Sequence, residues 1–275
     1  ASSSGTTNLT GSGVFIWTSV SPISSSGAIS ITGKKSSTAG TFGVDIRTPI
    51  TTTAGNITVS GDVVNVMANV SASGNVSYDA SVSLTQTAVV TANGLSLNGA
   101  GNFTLNNISN NITTLAGGNN TTKLGSVSFT NASGGLTIGT VGANSGLTAS
   151  GTISVETLAD NLTISNNITT DNTTANAITI NAGKSTAIGT VTGGNIVLSG
   201  SPTITTGTGG IAKLFSGAAS TALTAFVGGL ANTRNAVDET ITTFSPALTS
   251  GLYALYRAFN PVAPTDISLS ATSIN

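Results

Sequence analysis

Short runs of alternating aliphatic and small polar residues recur along this chain, most of them set off by glycine. Gly27-Ala28-Ile29-Ser30-Ile31-Thr32-Gly33 and Gly55-Asn56-Ile57-Thr58-Val59-Ser60-Gly61 share one pattern. It returns as Gly94-Leu95-Ser96-Leu97-Asn98-Gly99, as Gly151-Thr152-Ile153-Ser154-Val155 and as Gly194-Asn195-Ile196-Val197-Leu198-Ser199-Gly200, where Val197 breaks the alternation. A period of two puts successive side chains on opposite faces, so each run predicts a short strand with one apolar and one polar side. Glycine and asparagine suit the corners between such strands. A unit this short cannot bury its apolar side alone and must stack on its neighbours.

The spacing of the runs predicts how they stack. Ile57, Val76 and Leu95 are 19 residues apart at each step. Later markers are Leu136, Ile153, Ile178, Ile196 and Ile211, at gaps of 17, 25, 18 and 15. Strand-like pieces such as Phe103-Thr104-Leu105, Val127-Ser128-Phe129 and Leu162-Thr163-Ile164 fall between them. A mean near 19 predicts one coil of a parallel β-solenoid, with residues 1–212 forming roughly ten or eleven coils about 4.8 Å apart. Asn56, Asn75, Asn161 and Asn195 recur at turn positions and are expected to stack amide on amide along the array. An antiparallel sandwich would give a strand every 8–12 residues or so, but would not repeat one phrase at coil spacing.

Composition narrows the surface and the possible chemistry. Only 6% of the 275 residues are charged, and the formal net charge is -1. That balance offers no electrostatic footprint for nucleic acid or an anionic membrane. Hydrophobic residues make up 38% but aromatic ones only 4%, so the core is expected to be aliphatic. Cysteine and histidine are absent, which excludes disulfides, thiolate metal sites, a histidine-based triad and histidine acid–base catalysis. No run of about 18 apolar residues marks a membrane span. The chain opens on Ala1 without a basic, then apolar, leader, as expected if a signal was removed or the chain is part of something longer.

The pattern changes after residue 212. Phe215, Phe226, Phe244, Tyr253, Tyr256 and Phe259 are six of the twelve aromatic residues, and Lys213, Arg234, Asp238, Glu239 and Arg257 lie among them. A solenoid exposes the edge of its last coil, which invites uncontrolled pairing. Residues 213–259 are therefore expected to form a cap, with Phe215, Phe226, Phe244, Tyr253 and Tyr256 filling it or presenting an interface. Ala219–Gly229 is the best helix signal. Pro261 and Pro264 then enforce an extended path into Thr265-Asp266-Ile267-Ser268-Leu269-Ser270. In this tail, 260–275, the strand Ile267, Ser268, Leu269 and Ser270 is a candidate for docking on a second copy of the chain.

Few residues suggest chemistry. The nearest carboxylate cluster is Glu156, Asp160 and Asp171, with Lys184 about one coil on. Asp45 and Arg47 share a strand face and are expected to pair on the surface. Asp238 and Glu239 are expected to pair locally with Arg234, since calcium would need more oxygen ligands. The stretch Thr206-Gly207-Thr208-Gly209-Gly210 lacks the lysine and helix of a phosphate loop. Thirteen Asn-x-Ser/Thr sequons occur, many inside the strand phrase itself. No catalytic residue, cofactor or metal ligand is expected.

Several stretches resemble bacterial filamentous-haemagglutinin-type adhesins. They include Gly134-Gly135-Leu136-Thr137-Ile138-Gly139-Thr140-Val141, Gly146-Leu147-Thr148-Ala149-Ser150-Gly151 and Asn161-Leu162-Thr163-Ile164-Ser165-Asn166-Asn167-Ile168-Thr169. Ala177-Ile178-Thr179-Ile180-Asn181-Ala182-Gly183 and Ser250-Gly251-Leu252-Tyr253-Ala254-Leu255-Tyr256-Arg257 continue the likeness, which spans roughly residues 50–258. Ala263-Pro264-Thr265-Asp266-Ile267-Ser268-Leu269-Ser270 is similar to the opening of cadherin-like repeats. Residues 1–50 do not resemble that family's amino-terminal secretion domain, so the likeness carries no export route.

The resemblance implies a right-handed parallel β-helix, secreted to the cell surface or extracellular matrix. The expected role is structural or adhesive and not enzymatic. Expected partners are the rest of a larger adhesin, further copies of the chain joined end to end into a filament, or a host or matrix carbohydrate or protein. A polysaccharide-active β-helix enzyme is the third reading, and a converging carboxylate pair in a groove would favour it.

Overall fold

The computed structural model describes residues 2–3, 7–11, 13–17, 21–35, 42–132 and 134–259. These residues form a parallel β-helix of three faces. Because the aliphatic positions alternate with polar ones, each strand can turn one side inward only by pairing in parallel, and in register, with its equivalent one coil away. Ile29, Ile57, Val76, Leu95 and Leu115 form one such inward column on the first face. On the second face the column runs Val44, Val64, Leu84, Phe103, Val127, Ile153, Ile178, Ala212 and Leu252. On the third face it runs Ile23, Ile50, Val70 and Val90, while Ile138, Ile164 and Leu198 continue the first column from Leu115. Ten described strands stack on the second face, from Val14–Ile16 to Gly251–Tyr256. At about 4.8 Å per step the described array is roughly 43 Å long.

The three-residue register Ile57–Val76–Leu95 matches the 19-residue spacing read from the sequence. Beyond Asn98 that spacing misleads. The strand of Leu136 continues the first face from Leu115 and Ile153 belongs to the second, so they do not mark successive coils. The true steps lengthen, from Val127 to Ile153 to Ile178 to Ala212 to Leu252. Excursions between faces absorb the added length. One of them is the antiparallel pair Thr140–Val141 with Asn144–Ser145, which folds back on the first face. Asn144 pins it there by donating to the Ser96 hydroxyl at 2.9 Å and to the Asn98 amide oxygen at 2.9 Å.

The turn asparagines do not stack amide on amide. The side-chain oxygens of Asn56, Asn161 and Asn195 instead each accept a backbone N–H from a later coil. Asn75 N donates to Asn56 Oδ1 at 2.8 Å and Asn195 N to Asn161 Oδ1 at 2.9 Å. Val89 N to Asn69, Ser126 N to Asn102 and Thr203 N to Asn167 repeat the geometry. A corner N–H has no ladder partner of its own, so a side-chain oxygen there satisfies a group that would otherwise rely on water. The same contact explains the glycine that precedes these positions. A Cβ on Gly74 would sit 2.3 Å from Asn56 Oδ1, and one on Gly125 would sit 2.4 Å from Asn102 Oδ1. Glycine is needed there for space and not for its backbone angles.

Buried amides secure another corner. Asn110 is fully buried and accepts from Val90 N at 2.9 Å and from Gln86 Nε2 at 2.5 Å. Its own amide group donates to Leu105 O and Thr130 O, both at 3.1 Å. One coil on, the buried Asn131 accepts from Ile112 N at 2.9 Å and donates to Ile112 O and Gly135 O. Every polar atom of Asn110 is thus satisfied inside the apolar stack, which is the condition for burying an amide at little net cost.

The expected cap region divides into a sheet part and a cover. Lys213–Phe215 continue the second face in register with Thr179–Asn181, so the sheet runs through the expected boundary at 212. Gly251–Tyr256 pairs with Ile211–Ser216 on one side and with Thr233–Asn235 on the other, which covers the last edge of that face. The predicted helix is present as Thr221–Phe226. Ser220 caps it through Leu223 N, and Gly228 and Gly229 close it at φ of +92° and +104°. Tyr256 is buried and its hydroxyl bonds Thr224 Oγ1 at 2.8 Å, tying the helix to the last coil. Phe215 and Tyr253 are also buried, and Phe226 and Phe244 are half-buried. Arg257 is 1% exposed and donates to Ala182 O and Gly194 O at 2.7 and 2.6 Å. The candidate docking strand Ile267–Ser270 lies outside the described residues.

Candidate binding cleft

Outward positions of the second face form two rows that cross the coils. One runs Ser128, Ser154, Thr179, Lys213, Tyr253, and the other Thr130, Glu156, Asn181, Phe215, Leu255. Both rows change from polar to apolar over the last coils. Ile211, Phe215, Tyr253 and Leu255 therefore make an apolar patch on the outside of the rod. Residues 236–250 fold over it, burying Val237 and packing Ile241, Phe244 and Leu248 on the patch. The strap is anchored by Arg234, which donates to Pro246 O at 2.8 and 3.0 Å and lies over the Tyr253 ring at 5.7 Å. Where the strap leaves the apolar patch, a cleft of about 940 Å³ opens between it and the polar part of the rows.

Four charged side chains line this cleft. Glu156 stands on the floor and Lys184 reaches back to it from the turn after Ile178–Ala182, with Nζ 2.5 Å from Glu156 Oε2. Glu239 comes from the strap and accepts from Asn181 Nδ2 at 3.2 Å. Its position follows from the turn that Asp238 caps, where Thr240 N and Oγ1 donate to Asp238 Oδ1 at 2.9 and 2.6 Å. Lys213 donates to Asn176 Oδ1 at 2.5 Å. Burial, opposed by Lys184 and reinforced by the charges of Glu156 and Asp238, holds the Glu239 carboxyl above its ordinary value. Burial also lowers the Lys213 ammonium. Two carboxylates and two ammoniums thus alternate with the Asn176 and Asn181 amides and the Thr179 hydroxyl, beside a wall of Ile241, Phe244 and Leu248.

The carboxylate cluster expected from sequence is only partly assembled. Glu156 and Lys184 meet as expected. Asp160 instead accepts from Gly134 N at 2.7 Å, and Asp171 pairs with the exposed Lys123 at 2.7 Å. Asp160 sits at the corner that follows the strand of Glu156, and Asp171 follows the strand Ile168–Thr170 on another face of the same coil. Glu239 takes their place, and no spacing argument could place it, because it arrives on a strap more than two coils later. The expected pairing of Arg234 with Asp238 and Glu239 is not made. The guanidinium is held by the carbonyls of Pro246, Ala231 and Thr233. Asp45 and Arg47 do pair, at 2.9 Å, but Asp45 is 2% exposed and not on the surface. It also accepts from Asn65 Nδ2 at 2.8 Å, while Arg47 lies over Trp17 at 5.1 Å.

Among the described residues, no group of three or more acidic residues comes together as metal ligands. No helix among them is long and apolar enough to cross a membrane. No protein-family model, curated protein or solved structure matches the chain.

Proposed function

We propose that this chain is a stiff, non-enzymatic rod of a bacterial surface protein, working outside the cell as a structural or adhesive element. The observation that carries the reading is the second face, whose ten described strands pair in parallel without a missing step. Successive coils are held together by ladders of backbone hydrogen bonds and, at several corners, by asparagine clamps, so bending requires many bonds to open together. The low charge and the hydroxyl- and amide-rich outer rows suit an exported protein that is not kept soluble by charge repulsion. The resemblance to filamentous-haemagglutinin-type adhesins supports the same setting, in which a rod holds a binding surface away from the cell.

Electron microscopy of the purified chain tests the shape, and limited proteolysis tests the stiffness. Straight rods of about 4–5 nm, with residues 57–98 resistant to a non-specific protease, are the expected result. Compact or flexible particles, or early cleavage within 57–98, would overturn it.

A further inference from the structure

We propose that the cleft between the strap 236–250 and the second face binds an uncharged oligosaccharide, giving the rod a ligand site of its own. The carrying observation is the interleaving of groups in one cavity. Glu156, Glu239, Lys184, Lys213, Asn181 and Thr179 offer acceptors and donors side by side, and Phe244 with its aliphatic neighbours offers an apolar wall. A sugar ring needs this combination, since each hydroxyl both donates and accepts while the ring's C–H face is apolar. The two carboxylates balance the two ammoniums, and each ammonium is already engaged, Lys184 by Glu156 and Lys213 by Asn176. No uncompensated cation remains in the cleft to select a polyanion.

A bound peptide strand is disfavoured for a different reason. The floor strand Ile178–Ala182 is already paired on both sides, with Ile153–Thr157 and with Ile211–Ser216, so it offers no free backbone edge. The volume lies near the upper end of the roughly 300–1,000 Å³ typical of ligand sites, which suits several linked sugars better than one. The floor is also built from successive coils, so its polar groups repeat along the rod axis, as a linear chain of sugars requires.

The test is a calorimetric titration of the whole chain with linear tetrasaccharides of β1,4-glucose, α1,4-glucose, β1,4-mannose and β1,4-N-acetylglucosamine, with tetragalacturonate as the charged comparison. At least one neutral probe should bind saturably at a single site. Lys213→Met and Glu239→Gln should each weaken that binding by about tenfold. Lys123→Ala, which alters only the pair with Asp171, should leave it unchanged. Thr179→Ala, an outward hydroxyl deletion that cannot unfold the coil, serves if either charged variant loses its fold. No binding by any neutral probe, binding of tetragalacturonate alone, or undiminished binding in the cleft variants would each overturn the proposal. All three results leave the rod reading untouched, because that reading is judged by shape and protease resistance.

Discussion

Residues 57–98 and residues 153–259 belong to the same stack but solve different problems. In the first region the second face advances from Val64 to Leu84 to Phe103, and the first face from Ile57 to Val76 to Leu95. Each coil there is just long enough to go round, and its outer rows are hydroxyls and amides. In the second region the steps run from Ile153 to Ile178, Ala212 and Leu252, and the surplus chain leaves the coil. Part of it forms the helix Thr221–Phe226, whose Leu223 joins the internal core, and part forms the strap over the second face. Short coils can place side chains only beside their sequence equivalents. Long coils bring residues as far apart as Glu156 and Glu239 into one cleft. Regularity builds the rod, and departure from it builds the site.

The comparison breaks most easily at the buried corner of the regular region. Asn110→Ala would remove the side-chain partner of Val90 N–H, Leu105 O and Thr130 O in a dry interior. A loss of about 3 kcal/mol or more is expected, read as a fall in the urea midpoint. A cost below about 1 kcal/mol would mean that water reaches this corner and that the amide ladder is not part of what holds the coils.

The glycine–asparagine clamp should show a smaller, coupled effect. Gly74→Ala drives a methyl group toward Asn56 Oδ1, with an expected loss of about 2 kcal/mol. Asn56→Ala removes one exposed bond and should cost about 1 kcal/mol. The double variant should be more stable than the sum of the two, since removing the Asn56 side chain frees the space. Simple additivity in a double-mutant cycle would show that the glycine serves some other need.

Much of the regular region was legible in the sequence, and the reason is physical. Alternation at Ile57, Val59, Val76, Tyr78, Leu95 and Leu97 can be satisfied only by stacking these residues inward, and equal spacing fixes the register. The aromatic-rich end was legible as a break in the pattern, and Phe215 and Tyr253 there belong to the external cluster under the strap. What could not be read was any contact that depends on the length of an excursion. Leu136 and Ile153 carry the same phrase but sit on different faces, and nothing in the phrase says which. Asp160 is four residues from Glu156 in sequence and Glu239 far from it, yet only Glu239 joins Glu156 in the cleft. The turn asparagines were visible as a recurring feature, but their partner, a backbone N–H and not another amide, follows from a geometry that composition does not carry.

Within the irregular region the strap should yield without the rod. Phe244 packs on the external cluster and has no contact with the internal core. Phe244→Ala is expected to cost about 1–2 kcal/mol locally. Amide exchange in 237–250 should then speed up while that of 57–98 stays unchanged. Loss of protection in both segments would mean that the two regions unfold as one unit, contrary to the nearest-neighbour behaviour expected of a stacked array.

The smallest effect concerns pH, and its sign separates the cleft from the clamps. Glu239 is held above its ordinary value mainly by burial, so the folded chain binds its proton more tightly than the unfolded chain does. Stability from this group is therefore present below the ordinary carboxylate range and falls as pH rises through the window between the unfolded and folded values. Asp62 works the other way. Burial would raise it, but the backbone N–H groups of Lys35 and Val63 outweigh that and lower it, so its contribution grows as pH rises through its own window. Thermal melts between pH 3 and about 6 should accordingly show Glu239→Gln flattening a decline and Asp62→Asn flattening a rise. The Glu239 effect should be slight, because the residue is desolvated only in part and solvent screens it. It should grow with Asn181→Ala and Lys184→Ala combined, since both groups favour the charged carboxylate, if the environment of Glu239 is set by the cleft and not by its own turn. A Glu239 profile unchanged in that double variant would place its shift in the Asp238 turn, and the cleft would then be electrostatically passive.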